Sequence, residues 1–185
     1  MTAFTIGRLL RGVRTDPARG LWDRPGLRAP ETITVRSASF EDGGTLDPRH
    51  RGSGAGANTS PALHWTGAPP AAAQLVLIIE DIDVPLPRPL VHTAAVLPPT
   101  VTQLPEGGLD SLEGVRFVRA AFGRTGYHGP RPLRGHGPHR YRFELFALDR
   151  AIPEEVADVP GLCAAADGHV MARGILTGVD ERPAR

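Results

Sequence analysis

The chain has 185 residues, 41% of them hydrophobic, and a net charge of +1: room for one domain with a sizeable core, and no global basic field to draw it onto nucleic acid. Glycine and proline, 22 and 19 residues, make up more than a fifth of it, which excludes a long helical bundle and favours short strands joined by turns. Every basic residue is arginine, so lysine Schiff-base and P-loop chemistry are excluded, and the single cysteine, Cys163, allows neither an internal disulfide nor a cysteine-rich zinc site.

Residues 1–30 read as an extension to a domain spanning 31–185. Ile6, Leu9, Leu10 and Val13 fall on one side of a helical wheel and Arg8, Arg11 and Arg14 on another, so a short helix is expected, packing on its own domain or on a second subunit. A membrane-surface helix is the sharper alternative, disfavoured because one short helix with three arginines holds a bilayer weakly. A proline-rich connector follows over 15–30, with Trp22 as its packing anchor. Ile33 and Val35 alternate with polar residues as in a half-buried strand, and 41–59 is glycine-rich loop. The continuous apolar run 75–80 predicts a central strand covered on both faces. Further strands are expected over 90–97, more weakly over 115–122, over 141–148, and at 175–179, with one or two short helices within 153–166. Many short strands without βαβ alternation predict a mainly β fold, an antiparallel sandwich. No apolar run is long enough to span a membrane and no secretory signal precedes the domain, so a cytoplasmic protein is expected.

Three clusters carry chemistry. Asp81 and Asp83 lie two apart at the end of an apolar strand, and in extended geometry they share a side; Pro85 then ends the ladder. Such a pair can hold a metal, act as acid and base, or accept from a ligand, and it can equally be an acidic loop in water. His92 sits in the next apolar strand. The short connection allows an antiparallel return that brings it beside one aspartate, which would orient the imidazole and raise its pKa; the alternative is a core histidine with one hydrogen bond. The stretch 123–141 interleaves glycines with Arg124, Arg131, Arg134, Arg140, His136, His139, Tyr127 and Tyr141, a loop whose backbone N–H groups and cations suit an anion. Elsewhere, His64-Trp65 is expected beneath the sandwich, His169 at a helix end, and Cys163 buried.

The segments SFEDGGTLDPRH, NTSPALHWTGAP, LVLIIEDIDVP, PLVHTAAV, GYHGPRPLRGHGPHRYRFELFALD and GHVMARGILTG, in this order and spacing, resemble the phosphatidylethanolamine-binding protein family, most closely its bacterial Raf-kinase-inhibitor-like branch. The resemblance covers roughly 31–180 and leaves 1–30 outside. It implies a two-sheet β-sandwich with Greek-key connections, short C-terminal helices, and a small anion pocket at one edge. The matching pocket residues are Asp81, Asp83, Pro85, His92, His139 and Tyr141, with Gly126 and Gly129 on the adjoining loop. Ile82, Val84 and Thr93 depart from the family pattern, which has proline, alanine and commonly an aromatic there; Arg131 adds charge where the branch often has cysteine.

The function so implied is non-enzymatic, without a cofactor. The pocket would bind phosphate or a phosphoethanolamine-like zwitterion, and the protein would regulate a kinase or protease by contact, with a homodimer also in keeping with the family. One aspartate would then be tied to His92 or to backbone donors, leaving the other for the ligand. The competing reading is a metal-dependent hydrolase built on Asp81, Asp83, His92, His136 and His139. A third is an interaction module working through residues 1–30.

Overall fold

The computed structural model describes residues 3–184; residues 1, 2 and 185, which belong to the expected 1–30 and 31–185 segments, lie outside it. Among the described residues, nine strands form two sheets. The smaller sheet contains β1 (Thr34–Arg36), β3 (Leu63–Thr66) and β6 (Gln103–Leu104), in the order β1-β3-β6. The larger contains β2 (Gly44–Thr45), β4 (Gln74–Asp81), β5 (Leu90–Leu97), β7 (Arg116–Phe117), β8 (His139–Leu148) and β9 (Val170–Asp180), in the order β2-β9-β8-β4-β5-β7. Pairing is antiparallel except between the two-residue β2 and β9. The described residues also form two α-helices, α1 (Ala3–Leu9) and α2 (Val159–Ala166), and several single 3-10 turns. The Asp158 side chain caps α2 by accepting from the Gly161 N–H (3.0 Å).

The apolar run of β4 is buried on both faces, as its continuous hydrophobicity demands. Leu75, Leu77 and Ile79 face the space between the sheets with Phe143, Leu145, Leu63 and Trp65. Val76 and Ile78 face the other way, against Trp22, Leu27, Phe146 and the α2 residues Leu162 and Cys163. The outer face of the large sheet is therefore roofed by α2 and by the strap of residues 14–30. The Trp22 ring lies 5.9 Å from that of Phe146, and the Arg173 guanidinium stacks 3.9 Å above it while donating to the Trp22 carbonyl. The Gly168 N–H donates to the Gly26 carbonyl (2.9 Å), pinning the far end.

Two acids lie under this strap. Glu80 accepts from the Leu21 N–H (3.1 Å), whereas neither oxygen of Glu144 has a partner. Burial pushes the Glu80 carboxyl up to about 7, and burial, then the charge of Glu80, raises Glu144 well above its usual range.

Several boundaries differ from expectation. The weak strand over 115–122 is two residues long, because the chain then leaves β5 and Arg119 bridges to Asp158 instead. β9 is eleven residues rather than five, and β3 and β6, too short for a periodic signal, complete the small sheet. The arm differs most. Gly7 rather than the apolar stripe makes the contact, since a side chain there would collide with the Arg134 carbonyl. Ile6, Leu9 and Val13 stay exposed.

Candidate functional site

A cleft of about 280 Å³ opens where β4 and β5 end, lined by Asp81, Val84, Pro85, Leu86, Leu90, His92, Phe122, Arg124, Arg131, Pro132, Leu133 and His139. Chain geometry explains how distant residues meet here. Asp81 and Tyr141 are paired across β4 and β8, which sets His139 at the same end. On the other flank the pairing runs Ile79 with Thr93 and then Glu80 with Val91. His92 is thus the extra residue of a β-bulge, turned out of the ladder and into the cleft. Its ring meets that of Tyr141 edge-on, 5.4 Å between centroids.

Two polar atoms in this floor are buried without a partner, His92 Nε2 and the Tyr141 hydroxyl. Burial, and then the nearby charge of Asp81, raises the Tyr141 hydroxyl far above its ordinary value. Burial also lowers His92, outweighing the opposite pull of Asp81. His92 therefore stands neutral at pH 7, contrary to the expectation of a carboxylate-raised imidazole. Asp81 is instead joined to His139: its Oδ2 lies 2.8 Å from His139 Nδ1, and its Oδ1 accepts from the Asp83 N–H (2.9 Å). His139 Nε2 contacts His136 Nδ1 (2.7 Å), and His136 Nε2 contacts the Val13 carbonyl of the N-terminal arm (3.0 Å).

Asp83 does not share the cleft with Asp81. β4 ends at Asp81, so the alternation that would align the two is broken, and Asp83 turns to Arg140 (2.8 and 2.9 Å) and Arg14 (3.2 Å). Burial alone would raise its carboxyl; the Arg140 hydrogen bonds and charge, with Arg14, hold it below the usual range. The two glycines support the loop rather than line the cleft. Gly126 adopts φ +90° beside Asp110, which accepts from the next N–H, and Gly129 packs against the His50 carbonyl while donating to Asn58 (3.1 Å).

Of the eight expected site residues, Asp81, Pro85, His92 and His139 line the cleft and Tyr141 lies beneath it. Leu86, Phe122 and Leu133 supply apolar walls the sequence did not mark, and Arg131 brings the charge its loop position suggested. The contribution of the arm had no local signal. Burial, and then Arg134, Arg131 and Arg51, lowers Arg182, a sign of the positive field on this side. A larger groove of about 640 Å³ runs beside β1 and β9, lined by Arg36, Glu41, Asp42 and His64. None of its residues has an unsatisfied buried polar atom, so the smaller cleft is the stronger candidate. Elsewhere, His169 pairs with Asp149 (2.9 Å) away from the cleft, and burial raises the Cys163 thiol to about 11, leaving it inert.

Among the described residues no three His, Cys, Asp or Glu side chains gather as a metal site, and His136 and His139 bond to each other instead. No helix among them is long and apolar enough to cross a membrane.

The sequence model of the phosphatidylethanolamine-binding protein family matches residues 36–180. A UPF0098 protein of Pyrococcus horikoshii is 37% identical over 133 residues, which cover 69% of this chain and 67% of that one. Phomoidride biosynthesis cluster protein B of a fungal species is 34% identical over 135 residues, covering 65% of this chain and 64% of its own length. Among solved structures, Escherichia coli YbcL, described as a member of the mammalian PEBP family, superposes with a TM-score of 0.74 at 30% identity, over 81% of this chain and 98% of its own.

Proposed function

The chain belongs to the phosphatidylethanolamine-binding protein family, and from that premise we propose that it is a non-enzymatic binding protein whose cleft takes a small phosphate-bearing or zwitterionic ligand. The observation that carries the reading is the pair of buried, unpartnered polar atoms, His92 Nε2 and Tyr141 Oη, at a cleft edged by Arg124 and Arg131. Buried polar groups are ordinarily satisfied, so an orphaned pair beside an opening is where a ligand oxygen gains most. In this reading Asp81, Pro85, His92, His139 and Tyr141 form the site, and Asp83, Gly126 and Gly129 hold its frame. Arg124 and Arg131 take the phosphate, and the apolar wall of Leu86, Phe122 and Leu133 accepts the chain that a headgroup carries. Contact regulation of a kinase or protease, a homodimer, a cytoplasmic setting and the division into residues 1–30 and 31–185 belong to the same proposal.

Calorimetric titration with phosphate, phosphoethanolamine and a short-chain phosphatidylethanolamine tests it. Saturable binding that Asp81→Ala and His92→Ala each weaken at least tenfold, about 1.4 kcal/mol, with the fold intact, is the expected result. Absence of binding to all three, or a metal content near one per chain that Asp81→Ala removes, would replace this reading with another.

A further inference from the structure

Three contacts in series run from the cleft to the N-terminal arm: Asp81 Oδ2 to His139 Nδ1 (2.8 Å), His139 Nε2 to His136 Nδ1 (2.7 Å), and His136 Nε2 to the Val13 carbonyl (3.0 Å). Each needs one hydrogen. The two end groups, a carboxylate oxygen and a peptide carbonyl, supply none, and two neutral imidazoles carry only two N–H groups. The chain of contacts closes only with a third proton. Because the carbonyl must accept, His136 donates from Nε2; with His136 neutral its Nδ1 receives, and His139 then donates from both nitrogens. His136 lies buried between His139 and Arg14, which favours its neutral form and leaves the extra proton on His139.

We infer that the N-terminal arm is a working part of the anion site: the Val13 carbonyl fixes the His136 tautomer, and that tautomer locks on His139 the proton that cancels the Asp81 charge. The inference rests on the reading of the cleft as an anion site, and it resolves how an anion approaches two aspartates. Asp83 is neutralised by Arg140 and Arg14, and Asp81 by the locked proton. Arg124 and Arg131, without carboxylate partners among the described residues, then set the sign of the cleft. Without the arm, His136 can flip its hydrogen to Nδ1 and donate to a neutral His139, which still donates to Asp81. The proton is lost with no hydrogen bond broken, and the floor becomes net negative. The other groups facing this chain are neutral His92, the Tyr141 hydroxyl with Asp180 behind it, and Arg11 beside Arg14 at Gly137; the Leu10 carbonyl, the second backbone acceptor near His136, belongs to the same arm and leaves with it.

The attachment of the arm supports this assignment. Gly7 sits on the Arg134 carbonyl, Arg14 donates to the Pro138 carbonyl (2.8 Å), and the Thr15 N–H donates to the Val84 carbonyl (2.9 Å) at the cleft wall. The two loops that frame the histidines are thereby held from one side.

The experiment compares the full chain with a deletion of residues 1–13 and with His136→Phe, which removes both nitrogens from the relay. Imidazole ¹⁵N shifts report protonation with no ligand present, and calorimetry with inorganic phosphate from pH 5.5 to 8.5 reports affinity. In the full chain His139 is doubly protonated at pH 7. In both variants it carries one proton, phosphate binds about tenfold more weakly at pH 7, the effect of one added negative charge near the anion, and the loss shrinks toward pH 5.5. Circular dichroism confirms the fold, and if His136→Phe fails to fold the deletion alone decides. Unchanged His139 signals and affinity in the deletion, while the full chain binds phosphate, overturn the inference and leave the cleft reading standing. A full chain that does not bind phosphate overturns the cleft reading and the part of the arm in it together.

Discussion

Asp81 and Asp83 have the same chemistry two positions apart and end in different surroundings. Asp81 is spent on a histidine and a backbone N–H at the cleft, Asp83 on two arginines behind it. Removing the Asp83 carboxyl strands the Arg140 and Arg14 guanidinium groups and leaves the Arg140 N–H without its acceptor (2.8 Å). Because Arg140 is half exposed and can turn to water, the loss is smaller than for a fully buried pair. Asp83→Ala should lower stability by about 1–2 kcal/mol in urea denaturation. The residue types of the cleft were legible in the sequence, since carboxylates, histidines and arginines clustered in three stretches. Their partners were not. The swap of His92 for His139 beside Asp81 depends on a bulge, which is a property of strand pairing, and on where β4 stops. Arg14 and Val13 reach the site only through the folded path of the arm.

At the scale of elements, the strap of residues 14–30 is held by one aromatic anchor and seals two acids. Trp22→Ala removes the ring that packs on Phe146 and carries the Arg173 guanidinium; a loss of about 3 kcal/mol is expected by chemical denaturation. The acids make stability depend on pH in a particular direction. Glu80 keeps its proton in the folded chain up to about 7 against an ordinary 4.5, and burial raises Glu144 well above its usual range too. Below pH 4.5 folded and unfolded chains are both protonated there, and the acids add no penalty. As pH rises, the unfolded chain ionises first, so stability falls from about pH 4.5 through 7 and beyond. The contribution of Glu80 to that fall is on the order of 3 kcal/mol. Glu144→Gln keeps the shape without the ionisation, so denaturation midpoints compared at pH 5 and 8 should show a flatter decline and a more stable variant at pH 8. The strong elements were readable in advance, β4 from its unbroken apolar run and β8 from its alternation. The buried acids were not: Glu80 closes a run read as covered on both faces without its partner being visible, and Glu144 alternates with the apolar side of β8 and looks solvent-facing until the strap covers it.

For the molecule as a whole, the two-sheet β architecture was legible from many short strands separated by glycine and proline, and the six ordered motifs sharpened it to a family. The sheet order was not legible, because β9 enters between β2 and β8 and no local pattern announces a strand that pairs with partners so far back. That insertion sets a schedule. A ribosome delivers Trp22 and the strap early, but the Arg173 side chain that clamps the Trp22 carbonyl lies 151 positions later. At about 5–20 residues per second, the strap waits on the order of 10 to 30 s for its seat. Over that interval the indole, the apolar outer face of β4 and one edge of β8 are bare on the nascent chain, a target for chaperones and a hazard for aggregation.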